Sequence, residues 1–182
     1  AHAPDSMAAL EEDDPNRRRL AYDELLANQL ALAMIRAAAR KRSGRAITGD
    51  GRLREELTAS LPYQLTSGQR QVLHDIQGDM ALPQRMLRLL QGDVGSGKTV
   101  VALLAMLAAV ETGAQAAFMV PTEILARQHL QTLTGLCTAL SLRIQILTGR
   151  TKGRPRQALL EDLASGQIDI LIGTHALFTE DV

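Results

Sequence analysis

Aromatic residues are scarce in this chain: Tyr22, Tyr63, Phe118 and Phe178 make up 2% of its 182 residues, and there is no tryptophan. A platform of interleaved aromatics for stacking unpaired bases cannot be built from that set. One cysteine, Cys137, excludes an internal disulfide framework and a Cys-based zinc site; its helical surroundings predict a buried side chain. Charge of one sign is lacking too. Twenty Lys+Arg balance 20 Asp+Glu, so any contact with a polyanion must come from local patches. The longest apolar run, Val100–Val110, is too short to cross a bilayer. The first residues show neither a basic n-region nor an apolar h-region, so no signal peptide and no membrane association are expected. The chain also lacks an initiator Met, which fits an internal piece of a longer protein.

What is present divides into three stretches. Residues 1–15 are an acidic lead-in, expected to be solvated, with Asp5, Glu11, Glu12, Asp13 and Asp14 and no Lys or Arg. Residues 16–60 hold a long helix and a connecting segment. Asp14 reads as its N-cap and Pro15 as its first position, and Tyr22, Leu25, Leu26, Leu30, Ala33 and Ala37 share one face. Its end, Arg36, Arg40, Lys41 and Arg42, suits either the helix C-terminus or a phosphate-facing patch. Ser43-Gly44, Gly49-Asp50-Gly51 and Pro62 mark a break.

From residue 61 to 182 apolar strands alternate with helices. The pattern predicts a helix over 66–79 and a strand at Met86–Leu90, then a helix over Lys98–Glu111 and a strand at Ala116–Val120. A helix over 122–140 and a strand at Ile144–Leu147 follow, then a helix over 156–165 and a strand at Ile168–Ile172. Such alternation means an α/β domain with a parallel sheet flanked by helices, whose ligands gather at the C-terminal ends of the strands.

Directly after the first expected strand stands Gly92-Asp93-Val94-Gly95-Ser96-Gly97-Lys98-Thr99, which satisfies GxxxxGK[ST] in a strand–loop–helix setting. Glycines let successive N–H groups converge on an anion, and the helix N-terminus adds its dipole. ATP and Mg²⁺ are the expected ligands. Lys98 is placed to reach the β- and γ-phosphates and Thr99 to coordinate the metal; Gly92, Gly95, Ser96 and Gly97 form the cradle.

Upstream, Thr66-Ser67-Gly68-Gln69 carries two readings. Thr66 and Gln69 can form a capping box, or the Gln69 amide can read adenine with its one donor and one acceptor sides; it cannot do both at once. Pro121-Thr122-Glu123 and Gly173-Thr174-His175 open helices at strand ends, as ordinary caps or as grips on a nucleic-acid backbone. Between them residues 143–156 carry five basic side chains and no acid, with Thr148, Gly149, Arg150 and Lys152 at the expected ligand edge. His129 reads as a helix-surface residue, and neither it nor His175 stands at metal-ligand spacing.

In this order, GDVGSGKT, PTEILARQH, the Thr-Gly-plus-basic loop and IGTHAL resemble the superfamily 2 DNA helicases. Leu61–Thr66 and Met86–Gly92 resemble a helicase entry of the bacterial fork-reversing kind, and RRRLAYDELLANQLAL resembles the linker helix joined to such a motor. The likeness covers about residues 17–182; the motor block is similar to the transcription-repair coupling translocases as well. It implies most of a RecA-like P-loop lobe, a truncated first helicase lobe, with ATP as the fuel and branched DNA (forks and junctions) as the partner. A role in repair and recombination in the bacterial cytoplasm goes with it. The resemblance further implies that Gln69 contacts adenine, that Gly95, Gly97, Lys98 and Thr99 hold triphosphate and Mg²⁺, and that Pro121, Thr122, Glu123, Thr148, Gly149, Gly173, Thr174 and His175 line the DNA strand. An apolar strand ending in Asp-Glu-x-His, which such enzymes use to activate water, is not found before Val182. Binding of nucleotide without turnover is therefore the expectation for this chain alone, with self-association through an open sheet edge. A complete small kinase and a non-catalytic P-loop interaction module are the competing readings.

Overall fold

The structure, a computed structural model, describes residues 14–40, 43–179 and 182. Most of the acidic lead-in, with Lys41 and Arg42 of the basic helix end, lies outside these. The chain divides into two compact units. One holds the residues up to Gly44 with Gln84–Leu87, the other Arg45–Pro83 with Arg88–Val182.

The first unit is dominated by helix α1, Pro15–Arg40. Asp14 Oδ1 accepts from the N–H groups of Asn16 (2.9 Å) and Arg17 (3.2 Å), and Pro15 takes the first helical position, where a missing N–H costs nothing. At 1.5 Å per residue α1 is roughly 39 Å long. Tyr22, Leu25, Leu26 and Leu30 are all exposed along it. Ser43 and Gln84 form an isolated antiparallel bridge in the same unit.

The second unit is the α/β domain. Its elements run α2 (Arg52–Ser60), α3 (Ser67–Met80), α4 (Lys98–Val110), β1 (Ala116–Met119), α5 (Glu123–Leu136), β2 (Ile144–Leu147), α6 (Gly153–Ala164), β3 (Ile170–Gly173) and a 3-10 turn at His175–Phe178. The strands form a parallel sheet in the order β1-β3-β2. Alternation along β3 sets the two layers. Ile170 and Ile172 join the core built by α4 and α5, with Leu103, Leu107, Ala126 and Leu133. Leu171 faces the other way, with Leu147, Ile168 and the α6 residues Leu159 and Leu163. Register places Ala116, Ile144 and Ile170 in one row and Met119, Leu147 and Gly173 in another. The segments carrying Pro121–Glu123, Thr148–Lys152 and Thr174–His175 therefore leave one edge of the sheet.

Three expectations need correction. Met86–Leu90 forms no strand: it has no ladder partner among the described residues, and Leu87 and Leu89 are 75% and 86% exposed. A strand is defined by its neighbour, and an apolar run without one stays extended but unpaired. The connecting segment is not irregular throughout, because α2 occupies it and buries Leu53 and Leu57 beneath the helices of the lobe. Finally, α6 begins at Gly153 rather than at 156, so Arg154 and Pro155 lie in its first turn rather than in a loop. Proline there breaks no hydrogen bond.

An ion pair fastens α2 to the far end of α4. The Glu111 carboxylate, 1% exposed, accepts from the N–H groups of Gly51 (3.0 Å) and Arg54 (3.1 Å) and from Arg54 Nε (3.0 Å). Arg54 Nη2 also donates to Gly49 O at 3.1 Å.

Candidate nucleotide site and nucleic-acid edge

The phosphate cradle is built from glycine conformations. Gly95 and Gly97 sit at φ 83° and 81°, a left-handed region open to glycine at little cost. Gly97 is also the N-cap of α4 and offers no side-chain acceptor; Val100 N donates to Gly97 O at 3.1 Å, and the N–H groups of Lys98 and Thr99 are those left to an anion among the described residues. A Cβ on Gly92 would approach Ser96 Oγ to 2.8 Å, and one on Gly97 would run into Gln69 Nε2. Lys98 Nζ donates to the carbonyls of Gly92 and Asp93, both at 2.7 Å. The ammonium is thus held over the loop by the backbone it would share with phosphate oxygens. Thr99, half-buried, starts the helix beside it.

Gln69 resolves its two readings in an unexpected way. Thr66 Oγ1 accepts from Gln69 N (3.2 Å), and Gln69 Oε1 accepts from Thr66 N (2.9 Å), a complete capping box. The amide nitrogen is left over and donates to Ser96 O in the P-loop at 2.9 Å. Cap and phosphate loop share one side chain. A cavity of about 270 Å³ lies between them, lined by Thr66, Gln69, Val72, Leu90, Gly92 and Lys98 among others. Arg70 donates to Leu65 O on the same turn.

At the edge where the strands end, Thr122 caps α5, its Oγ1 accepting from Leu125 N at 3.3 Å. Thr148 and Thr174 are buried, at 3% and 6% exposure, as is Gly173; Pro121, Thr122, Gly149, Arg150, Lys152 and His175 are exposed. The two threonines are enclosed within the edge, while the exposed residues are those a ligand could reach. Thr148 N donates to Thr151 Oγ1 (3.3 Å), and Thr151 N to Thr148 O (2.9 Å), closing the turn that presents Arg150.

Glu123 is the electrostatic centre of this edge. Its Oε1 accepts from Arg127 Nε (3.2 Å) and Nη2 (2.8 Å), and its Oε2 lies 3.3 Å from Arg150 Nε. Sequence reasoning missed Arg127, although the i,i+4 spacing of Glu123 and Arg127 was visible. It also missed the Arg54–Glu111 tie, for which no local signal exists, since the partners are 57 residues apart.

The remaining singled-out residues are structural in their surroundings. His129 is half-buried, its ring edge-on to Phe118 at 5.0 Å, and so is not a plain surface residue. Cys137 is buried, and desolvation pushes its thiol up to about 11. Among the described residues no group of His, Cys, Asp and Glu could by itself hold a metal ion, and no helix is long and apolar enough to cross a membrane.

Comparison with known proteins agrees with this arrangement. The DEAD/DEAH box helicase family matches residues 66–182. The ATP-dependent DNA helicase RecG of Bacillus subtilis is 47% identical over 187 residues, taking in 100% of this chain and 26% of that protein. RecG of Escherichia coli K12 is 44% identical over 168 residues, 92% of this chain and 24% of that protein. The chain therefore spans about a quarter of the length of these relatives. A solved structure of RecG bound to a three-way DNA junction superposes with a TM-score of 0.83 at 46% identity, covering 91% of this chain and 23% of that one. The resemblance carried by the motifs is thus borne out over nearly the whole chain, as is the helix-flanked parallel sheet. With its GxxxxGK[ST] loop and helicase motifs in one lobe, the chain belongs to the DEAD/DEAH box helicase family.

Proposed function

We propose that this chain is the linker helix and the first part of the ATP-binding lobe of a DNA helicase that remodels forks and junctions in repair and recombination. The observation that carries the reading is the fit to the junction-bound RecG structure over 91% of the chain. We place its action in the bacterial cytoplasm, with the nucleoid, a reading the bacterial relatives support.

The residues present fit Mg-ATP. Left-handed Gly95 and Gly97 open the loop, the uncapped first turn of α4 faces it, and Lys98 hangs over it by two carbonyl bonds that phosphate oxygens can replace. The Thr99 hydroxyl would hold the metal, which supplies charge neutralisation between the β- and γ-phosphates when bound. Gln69, placed against the loop, would face the adenine side by exchanging a bond it now makes. Pro121, Thr122, Gly149, Arg150, Lys152 and His175 form the edge that would grip the DNA backbone, with Glu123, Thr148, Gly173 and Thr174 shaping it.

Turnover needs more than a cradle. Phosphoryl transfer draws on a positioned water, a metal carboxylate and an arginine acting together, and no apolar strand ending in Asp-Glu occurs in this sequence. The chain alone is expected to bind Mg-ATP without hydrolysing it at an enzymatic rate. Exposed Leu87 and Leu89 make self-association of the isolated chain an accompanying expectation.

The test is a titration of fluorescent Mg-ATP, read by anisotropy, against the chain and its Lys98→Ala variant. Saturable binding weakened about tenfold or more by the substitution is expected, since Lys98 makes charge-assisted hydrogen bonds worth roughly 1.5–3 kcal/mol. DNA-stimulated ATP turnover by the purified chain would refute the assignment of a cradle without its catalytic remainder.

A further inference from the structure

We propose that Arg127 and Arg150 form a two-pronged phosphate clamp held by Glu123, which makes Arg127 a DNA-backbone ligand and Glu123 a positioning residue rather than a contact. The proposal rests on the reading that this sheet edge grips DNA.

Three observations on the edge support it. The carboxylate lies beneath its partners: Glu123 is 23% exposed, whereas the Arg127 and Arg150 side chains are 61% and 82% exposed. A buried-side acid with two outward guanidiniums presents positive charge to an approaching strand, not negative. Second, the prongs come from different strands. Arg127 rides on α5, which follows β1, and Arg150 sits in the turn after β2, so their shared anchor reaches across the end of β3, which lies between those strands. An isolated i,i+4 pair on a helix surface would have no such span. Third, donors remain. Arg127 gives Nε and Nη2 to Glu123, and Arg150 is held by an ion pair alone, its Nε 3.3 Å from Glu123 Oε2. Their other N–H groups meet no acceptor among the described residues, and a guanidinium offers five. Fixed on one side by a carboxylate, each fork is pre-ordered for bidentate contact with a phosphate on the other.

A carboxylate so close to a bound strand repels it, which separates the two roles Glu123 could have. Acting through charge alone, it would weaken DNA binding, and its neutralisation would strengthen binding in any background. As the anchor of both arginines, its neutralisation weakens binding only while they are present.

The test uses the full chain and a fluorescein-labelled thymidylate oligomer of about 20 nucleotides, with anisotropy followed across a salt series. Arg127→Gln and Arg150→Gln should each weaken binding roughly three- to tenfold at about 100 mM salt and lower the salt slope by about 0.7. Glu123→Gln should weaken binding in the wild-type background but strengthen it, or leave it unmoved, when both arginines are already glutamine. Full affinity and an unchanged slope in Arg127→Gln, with Arg150→Gln impaired, overturn the clamp and leave the DNA-gripping edge standing. Tighter binding by Glu123→Gln in both backgrounds also overturns it. No binding by the wild-type chain at about 50 mM salt overturns the clamp and the reading of the edge together.

Discussion

Gln69 Nε2 donates to Ser96 O at 2.9 Å while its Oε1 closes the capping box on Thr66 N. One amide therefore fixes the start of α3 and one wall of the P-loop. Gln69→Glu keeps the acceptor and loses the donor, placing a carboxylate against a carbonyl. The helix cap should survive, with thermal stability shifted by less than about 1 kcal/mol, while affinity for fluorescent Mg-ATP falls several-fold. Equal affinity in both proteins would mean that the Ser96 bond does not shape the cradle.

Gly97→Ala should damage the same wall from the other side. At φ 81° an alanine carries roughly 1–2 kcal/mol of left-handed strain, and its methyl group would displace the Gln69 amide. We expect a lowered melting temperature together with loss of nucleotide binding. Gly68→Ala is the control, because a Cβ there meets nothing within 4 Å.

Glu111→Ala should cost far more than any surface pair. It strips the partner from Arg54 and orphans two backbone N–H groups at a site 1% exposed, a loss on the order of 3 kcal/mol in urea unfolding. Arg52→Ala breaks a pair whose side chains are 70% and 44% exposed and should cost less than about 1 kcal/mol. Similar values for the two variants would show that α2 is not fastened to α4 by this carboxylate.

Cys137 predicts a pH dependence. Burial raises its thiol from 9.0 to about 11, so the folded state favours the protonated form. That contribution is fully present below pH 9.0 and is lost as pH rises toward 11. Urea midpoints of the wild-type chain should therefore drop more between these limits than those of Cys137→Ala. Alkylation of the native thiol at about pH 8 should be slow compared with that of the unfolded chain.

Much of the site was legible because its logic is local. Gly92–Thr99 and the Thr66–Gln69 box are each contained in a few residues whose spacing dictates the geometry, and Asp14-Pro15 marks its helix start for the same reason. What escaped was non-local or read from residue type without context. Met86–Leu90 has a strand's composition, but pairing is decided by residues elsewhere in space. α2 shows only Leu53 and Leu57 of an apolar stripe, too little to stand out between glycines. Gly153 and Pro155, read as part of the basic loop, proved to lie in a first turn. Glu123 was legible as part of a motif, yet its work depends on Arg150, which folding brings from beyond a third strand.

The row made by Met119, Leu147 and Gly173 also sets a width. Neighbouring strands lie about 4.8 Å apart, so three strand ends in the order β1-β3-β2 offer a ledge of roughly 10 Å. Successive phosphates of one strand stand farther apart through space than their rise of about 3.4 Å along a duplex axis, so on the reading that this edge grips DNA the ledge would meet about two phosphates. Such a footprint would be short by construction. On that reading, holding a long strand would take many such brief grips in succession or other surfaces acting at the same time, because so few charges are met at once.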